Sequence, residues 1–123
     1  MQIVEIYQRY DIPPNLVRHQ LGVTAVGAYL MDHWLGTAID QELVIQTLLL
    51  HDMGNIIKFK RPFLGELEAE AGYWEKIQDQ YFKKYGTDVH LATLAIVNEL
   101  RLPGVAKLID HSNEWARVGK QIH

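Results

Sequence analysis

Apolar side chains recur along this chain at the three-and-four spacing of helices, and no stretch alternates as a strand would. Residues 2–9 predict a short first helix, stopped by Asp11-Ile12-Pro13-Pro14. The two prolines break one helix and preorganise the next. A second helix is expected from Pro14 to about residue 35. On it Val23, Val26 and Leu30 follow His19 at helical spacing, and Gly22, Ala25, Gly27 and Ala28 permit a close neighbour.

Gly36 ends that helix, and Asp40 is placed to cap a third at about 41–53, with Gly54 and Asn55 suited to its C-terminus. Beyond a loop with Pro62 and Gly65, residues 66–85 read as one or two helices closed by Gly86. Thr87 and Asp88 can cap the next, reaching about residue 100, and Pro103 opens a last helix toward Ser112. The expectation is an all-α bundle of about six helices. Without internal repeat or linker, residues 1–123 form one domain.

A hydrophobic fraction of 48% supplies a core without disulfides, and with no cysteine there is neither a thiolate metal site nor a cysteine nucleophile. The amino-terminal stretch is polar and amphipathic, unlike a signal peptide, and no apolar run reaches the roughly 18 residues of a membrane span. A cytoplasmic protein without a membrane partner is expected. The net charge of −3 argues against duplex nucleic acid. Its distribution is uneven: up to residue 57 two basic residues face six acids, whereas Lys58-Phe59-Lys60-Arg61 opens a half with ten basic residues and nine acids.

That basic cluster directly follows Leu48-Leu49-Leu50-His51-Asp52-Met53-Gly54. His51 continues the stripe of Val44, Thr47 and Leu48, and Asp52 lies at the edge of the same buried face. A buried carboxylate costs several kcal/mol unless something positive pairs with it, and no lysine or arginine lies within a helical turn of Asp52. A metal ion would supply the charge. Bonds from Asp52 to backbone amides or a distant arginine, with His51 as a satisfied core histidine, would serve equally well, and periodicity leaves the two readings even.

His19 is expected to face inward near the start of its helix. His33 falls on nearly the same face, but 14 residues at about 1.5 Å separate the two by roughly 21 Å, so only one can join a site with His51. His19 is the choice, because Asp32, His33 and Trp34 belong to a polar helix end. His90 occupies the first turn of a helix, where the macrodipole disfavours imidazolium; a neutral ring there can bind metal or phosphate, although a lone histidine at such a position more often serves packing or capping. His111 can face either way, and His123 is terminal.

Together, His19 on one helix, Leu-Leu-His-Asp-Met-Gly at the end of another and His90 opening a later one resemble the HD-domain superfamily, over residues 16–100. Members are helical proteins that hold one or two divalent ions with histidines and aspartates and mostly hydrolyse phosphate esters. His51-Asp52-Met53-Gly54-Asn55 is most similar to the subgroup with His-Asp-Ile-Gly. The resemblance implies metal ligation by His19, His51 and Asp52. It implies that His90 binds a second ion or the phosphate, with Lys58 or Lys60 stabilising phosphate charge. It also implies a metal-dependent phosphohydrolase acting on a small phosphate ester or nucleotide. Imidazole and carboxylate ligands suit Mn, Fe, Co, Ni or Zn, with Mg a further candidate.

Two departures qualify this. The family completes its first metal with an aspartate on a late helix, in a tyrosine-alanine-aspartate context that this chain lacks. Asp110 is the nearest substitute in unlike surroundings, so the chain reads as a fragment or as a domain ending before its last ligand. Relatives acting on nucleoside monophosphates or alarmones carry a glutamate soon after the His-Asp pair, and residues 53–58 hold none, which argues against their mechanism and substrates. Oxidation at a di-iron site would need more ligands than are found. The non-enzymatic alternative is a degenerate HD domain that senses a nucleotide or docks a partner, with Tyr73, Trp74 and Trp115 as a contact surface.

Overall fold

In a computed structural model that describes residues 2–34, 36 and 38–111, every regular element is helical, and no strand occurs among those residues. Helix α1 spans Ile3–Arg9 and α2 spans Pro14–Asp32, with Pro14 in the first turn. Pro there forfeits no helical hydrogen bond, since the first N–H groups of a helix have no intrahelical acceptor. Helix α3 is Gln41–Leu50, α4 is Ala71–Tyr85, α5 is Val89–Glu99, and α6 occupies residues 103–111. These six helices are the expected all-α bundle.

The caps follow the sequence. The Asp40 carboxylate accepts the Leu43 N–H and that of Asp88 accepts the Leu91 N–H, each satisfying a donor at a helix start. Gly86 ends α4 with φ 82°, a conformation most side chains resist.

Of the one or two helices expected over residues 66–85 there are two, a 3-10 helix at residues 65–70 leading into α4. One segment differs from expectation. Helix α3 closes at Leu50 instead of near residue 53, and the chain winds on through turns into a 3-10 segment, Asn55–Lys58. The winding tightens there: Met53 N–H reaches Leu50 O and Asn55 N–H reaches Asp52 O, bonds three residues back rather than four. Nor does Gly54 act as a left-handed cap, since its φ is −89°. Its role is close approach: a Cβ there would lie 2.8 Å from Val89 O and 2.9 Å from Ala92 Cβ, so α5 can pack against this turn only if residue 54 has no side chain.

The core forms around that turn. Leu50, Met53 and Ile56 are almost fully buried, together with Ala92, Ile96 and Val97 of α5 and Val105 of α6. From the outside, α1 adds Ile6 and Tyr7, whose hydroxyl donates to Leu49 O at 2.6 Å. The turn is thereby held on several sides, which positions the side chains it carries. Among the described residues, no helix is long and apolar enough to cross a membrane.

Candidate metal centre

His51 is the C-cap of α3, with its backbone still in the helical region. Its Nδ1 lies 2.6 Å from Leu48 O. A carbonyl can only accept, so Nδ1 carries a proton and Nε2 is the atom turned toward the site. That Nε2 is 3.0 Å from Asp52 Oδ2, and His19 Nε2 approaches the same oxygen at 2.9 Å. Donor atoms of the three side chains all lie within 4.8 Å of one another, so the group could hold a metal ion. Fixing one ring nitrogen on a backbone carbonyl while the other points inward is how ligating histidines are commonly oriented.

Asp52 pairs with two imidazoles from α2 and α3, and among the described residues no lysine or arginine forms an ion pair with it. Burial pushes its carboxyl up. Hydrogen bonds and charge from His51, then His19, outweigh that and hold it below the usual carboxylate range. His51 is raised, foremost by its hydrogen bond to Asp52, against desolvation. Each partner thereby favours the charged form of the other.

The position of α2 was mis-set by its apolar stripe. His19 is about half exposed (side chain 52%), and Val26 and Leu30 lie in solvent at 60% and 59%. The helix instead buries Leu16, Gln20 and Met31. It approaches α3 at Gly27, where a Cβ would fall 2.4 Å from Leu48 Cδ1. Gly27 and Gln20 turn toward this interface, and the approach at Gly27 leaves no room for a side chain there, while Val26 and Leu30 point away. The rotation leaves His19 at the rim, still within reach of Asp52.

Sequence reasoning missed the side chains that lock the site together. Gln20, fully buried, accepts the Asp52 N–H at 3.0 Å through Oε1, and its Nε2 lies 3.8 Å from Met53 Sδ. Thr93 of α5, also buried, accepts the Gly54 N–H at 3.0 Å. Gln78 of α4 donates to Ile56 O and Phe59 O, both at 2.8 Å. The available signal was weak: only Thr93 is a lone polar residue amid apolar neighbours, a position that demands a hydrogen-bond partner, whereas Gln20 and Gln78 stand beside other polar residues in the sequence.

His51 and Asp52 open onto a cavity of about 640 Å³ that Asn55, Lys58, His90 and Thr93 also line. His90 and Lys58 thus face the same space as the His–Asp pair. His90 Nε2 is 2.9 Å from Asp110 Oδ1, so Asp110 is engaged with His90 and stands outside the three-residue group. Lys60 lines a separate hollow with Phe63 and Leu67, and Arg61 is held by Gln78 and Asp79.

His33 lies at the far end of α2, bonded to Tyr29 O. His111 is exposed, and His123 and Trp115 fall outside the described residues. Of the aromatics suggested as a contact surface, Tyr73 is 47% exposed, but Trp74 is only 9% exposed and belongs to the core. Comparison with family models, with curated proteins and with solved structures found no match to this chain.

Proposed function

We propose that this chain is a metal-dependent phosphohydrolase of the HD-domain type, acting on a small phosphate ester or nucleotide. The observation that carries the reading is the convergence of His19 Nε2 and His51 Nε2 on one oxygen of Asp52, beside a cavity with a lysine and a further histidine. Three protein donors make the kind of set found at catalytic rather than structural ions, where a position stays open for water or substrate. When bound, a divalent ion supplies a water of lowered pKa and polarises the phosphoryl oxygen.

The protein's own groups have distinct parts in this reading. Asp52 and the two imidazoles hold the ion, with Leu48 O fixing the His51 ring and Gln20 fixing the Asp52 backbone. Lys58 offers a cation to the non-bridging phosphate oxygens. His90, held at Nε2 by Asp110, is the group available to exchange a proton with the leaving oxygen. Imidazole and carboxylate donors admit Mn, Fe, Co, Ni or Zn without choosing among them.

The experiment is hydrolysis of aryl phosphate mono- and diesters and a nucleotide panel, with Mn²⁺, Co²⁺ or Zn²⁺ supplied to metal-stripped protein. Turnover that requires the ion and vanishes in Asp52→Ala supports the reading. Activity that persists in chelator overturns it, and tight nucleotide binding without turnover replaces it with a sensing role.

A further inference from the structure

The outer face of α2 starts at the His19–His51–Asp52 group and is exposed among the described residues. Val26, Tyr29 and Leu30 are 60%, 63% and 59% exposed. From His19 to Met31 the helix carries no acid, lysine or arginine. A hollow of about 430 Å³ lies on this face, lined by Arg18, His19, Gly22, Val23 and Val26. At the other end of the face, His33 Nδ1 is 2.9 Å from Tyr29 O, and its ring lies 4.3 Å from that of Tyr29. The carbonyl keeps a proton on Nδ1, so Nε2 is the nitrogen left to face outward, the orientation that His51 also takes toward its site. A metal-ligating orientation is thus prepared on an exposed ring roughly 21 Å along the helix from His19, beyond the reach of its own site.

We propose that two copies of this chain pair through α2, antiparallel about Val26, so that His33 of each completes the His19–His51–Asp52 metal site of the other. The inference rests on the metal reading above. Val26 lies seven residues from His19 and seven from His33, so a two-fold axis at Val26 sets each histidine opposite the other. The same register seats Leu30 of one copy over Gly22 of the other, where a Cβ would meet nothing within 4 Å, and so fills the hollow beside His19. Large against small is the complementarity that lets helices approach closely.

Size then makes the pairing conditional. A 19-residue helix is about 28 Å long and about 10 Å wide, a footprint of roughly 300 Å² per copy against the roughly 800 Å² of a standard stable interface. The apolar contact is too small to hold two copies together by itself, and two bridging ions supply the remainder. Dimerisation therefore follows metal loading. A fourth protein donor still leaves positions open on ions that accept six ligands, such as Mn²⁺.

The test is the molar mass of the full chain by light scattering and sedimentation, metal-stripped and then titrated with Co²⁺ or Zn²⁺, with bound metal measured in parallel. The mass should rise from the 14.2 kDa monomer to twice that value as one ion per chain binds. His33→Ala and Val26→Glu, both at exposed positions, should remain monomeric while still binding the ion, His33→Ala at least about tenfold more weakly. Wild-type protein that binds metal yet stays monomeric overturns the pairing and leaves the metal centre standing. Protein that binds no metal overturns both. A dimer that forms without metal, or persists in His33→Ala or Val26→Glu, also overturns the pairing, because a different surface or segment then holds it.

Discussion

The buried side chain of Gln20 accepts the backbone N–H of Asp52 at 3.0 Å, so the helix that carries His19 is fastened to the turn that carries its partner. His19 and Gln20 are adjacent on α2, so the bond helps set the distance at which His19 meets the carboxylate. Leu48 O does the same for the ring of His51. The His51 ring and the Asp52 backbone are thus held by groups outside the trio, and the geometry does not depend on mutual attraction alone.

Removing the Gln20 amide leaves the Asp52 N–H unsatisfied in the interior. Gln20→Leu should destabilise the metal-free protein by about 1–3 kcal/mol, the usual cost of a buried donor without a partner. Denaturant unfolding measures this. Metal affinity should fall as well, since α2 is no longer pinned, whereas His33→Ala should leave the unfolding midpoint unchanged.

Gly54→Ala tests the packing of the turn. The added methyl would meet the backbone oxygen of Val89 at 2.8 Å and cannot be relieved by a rotamer change. A loss of about 1–3 kcal/mol is expected, read as a lowered unfolding midpoint. Gly22→Ala, where the new methyl meets nothing, should be neutral or stabilising in the metal-free protein.

The titrations of the His–Asp pair fix a pH window for metal-free stability. His51 is raised above its ordinary 6.5, so its contribution is complete below about pH 6.5 and is lost as pH rises through the raised value. Asp52 is lowered below 3.8, so its contribution is complete above about pH 4 and is lost as pH falls. In chelator, the Tm should therefore be higher at pH 5.5 than at pH 8.5, and the difference should disappear in His51→Ala. Added metal should reverse the alkaline loss, because binding displaces the His51 proton.

Asp110 supports His90 without joining the metal group. Asp110→Asn should leave metal content unchanged and lower the turnover of phosphate esters by about tenfold or more, with the pH dependence of kcat altered. Loss of metal in this variant would instead make Asp110 a ligand.

Much of the fold was legible because helical signals are local. Asp40, Asp88, Gly86 and Pro14 each act at the position they occupy, through a cap, a left-handed residue or a proline at a helix start. The meeting of His19 with His51 and Asp52 was anticipated from the choice of His19 over His33 and from the resemblance, although His19 lies at the rim instead of facing inward. What escaped was the rotation of α2. An apolar stripe marks a buried face only where its residues fit the space, and here Gly27 and Gln20 fit against α3 while Val26 and Leu30 do not. Gln20, Thr93 and Gln78 were not anticipated, because their partners are backbone groups on other elements that no sequence spacing connects.

The most direct test of the central claim is a calorimetric titration of metal-stripped protein with Zn²⁺ or Co²⁺, repeated on Asp52→Ala. Two imidazoles meeting at one carboxylate oxygen predict one ion bound per wild-type chain and none in the variant, with both proteins folded. Equal binding by the two, or none by the wild type, would contradict the claim and leave the trio as an ordinary ion pair between α2 and α3.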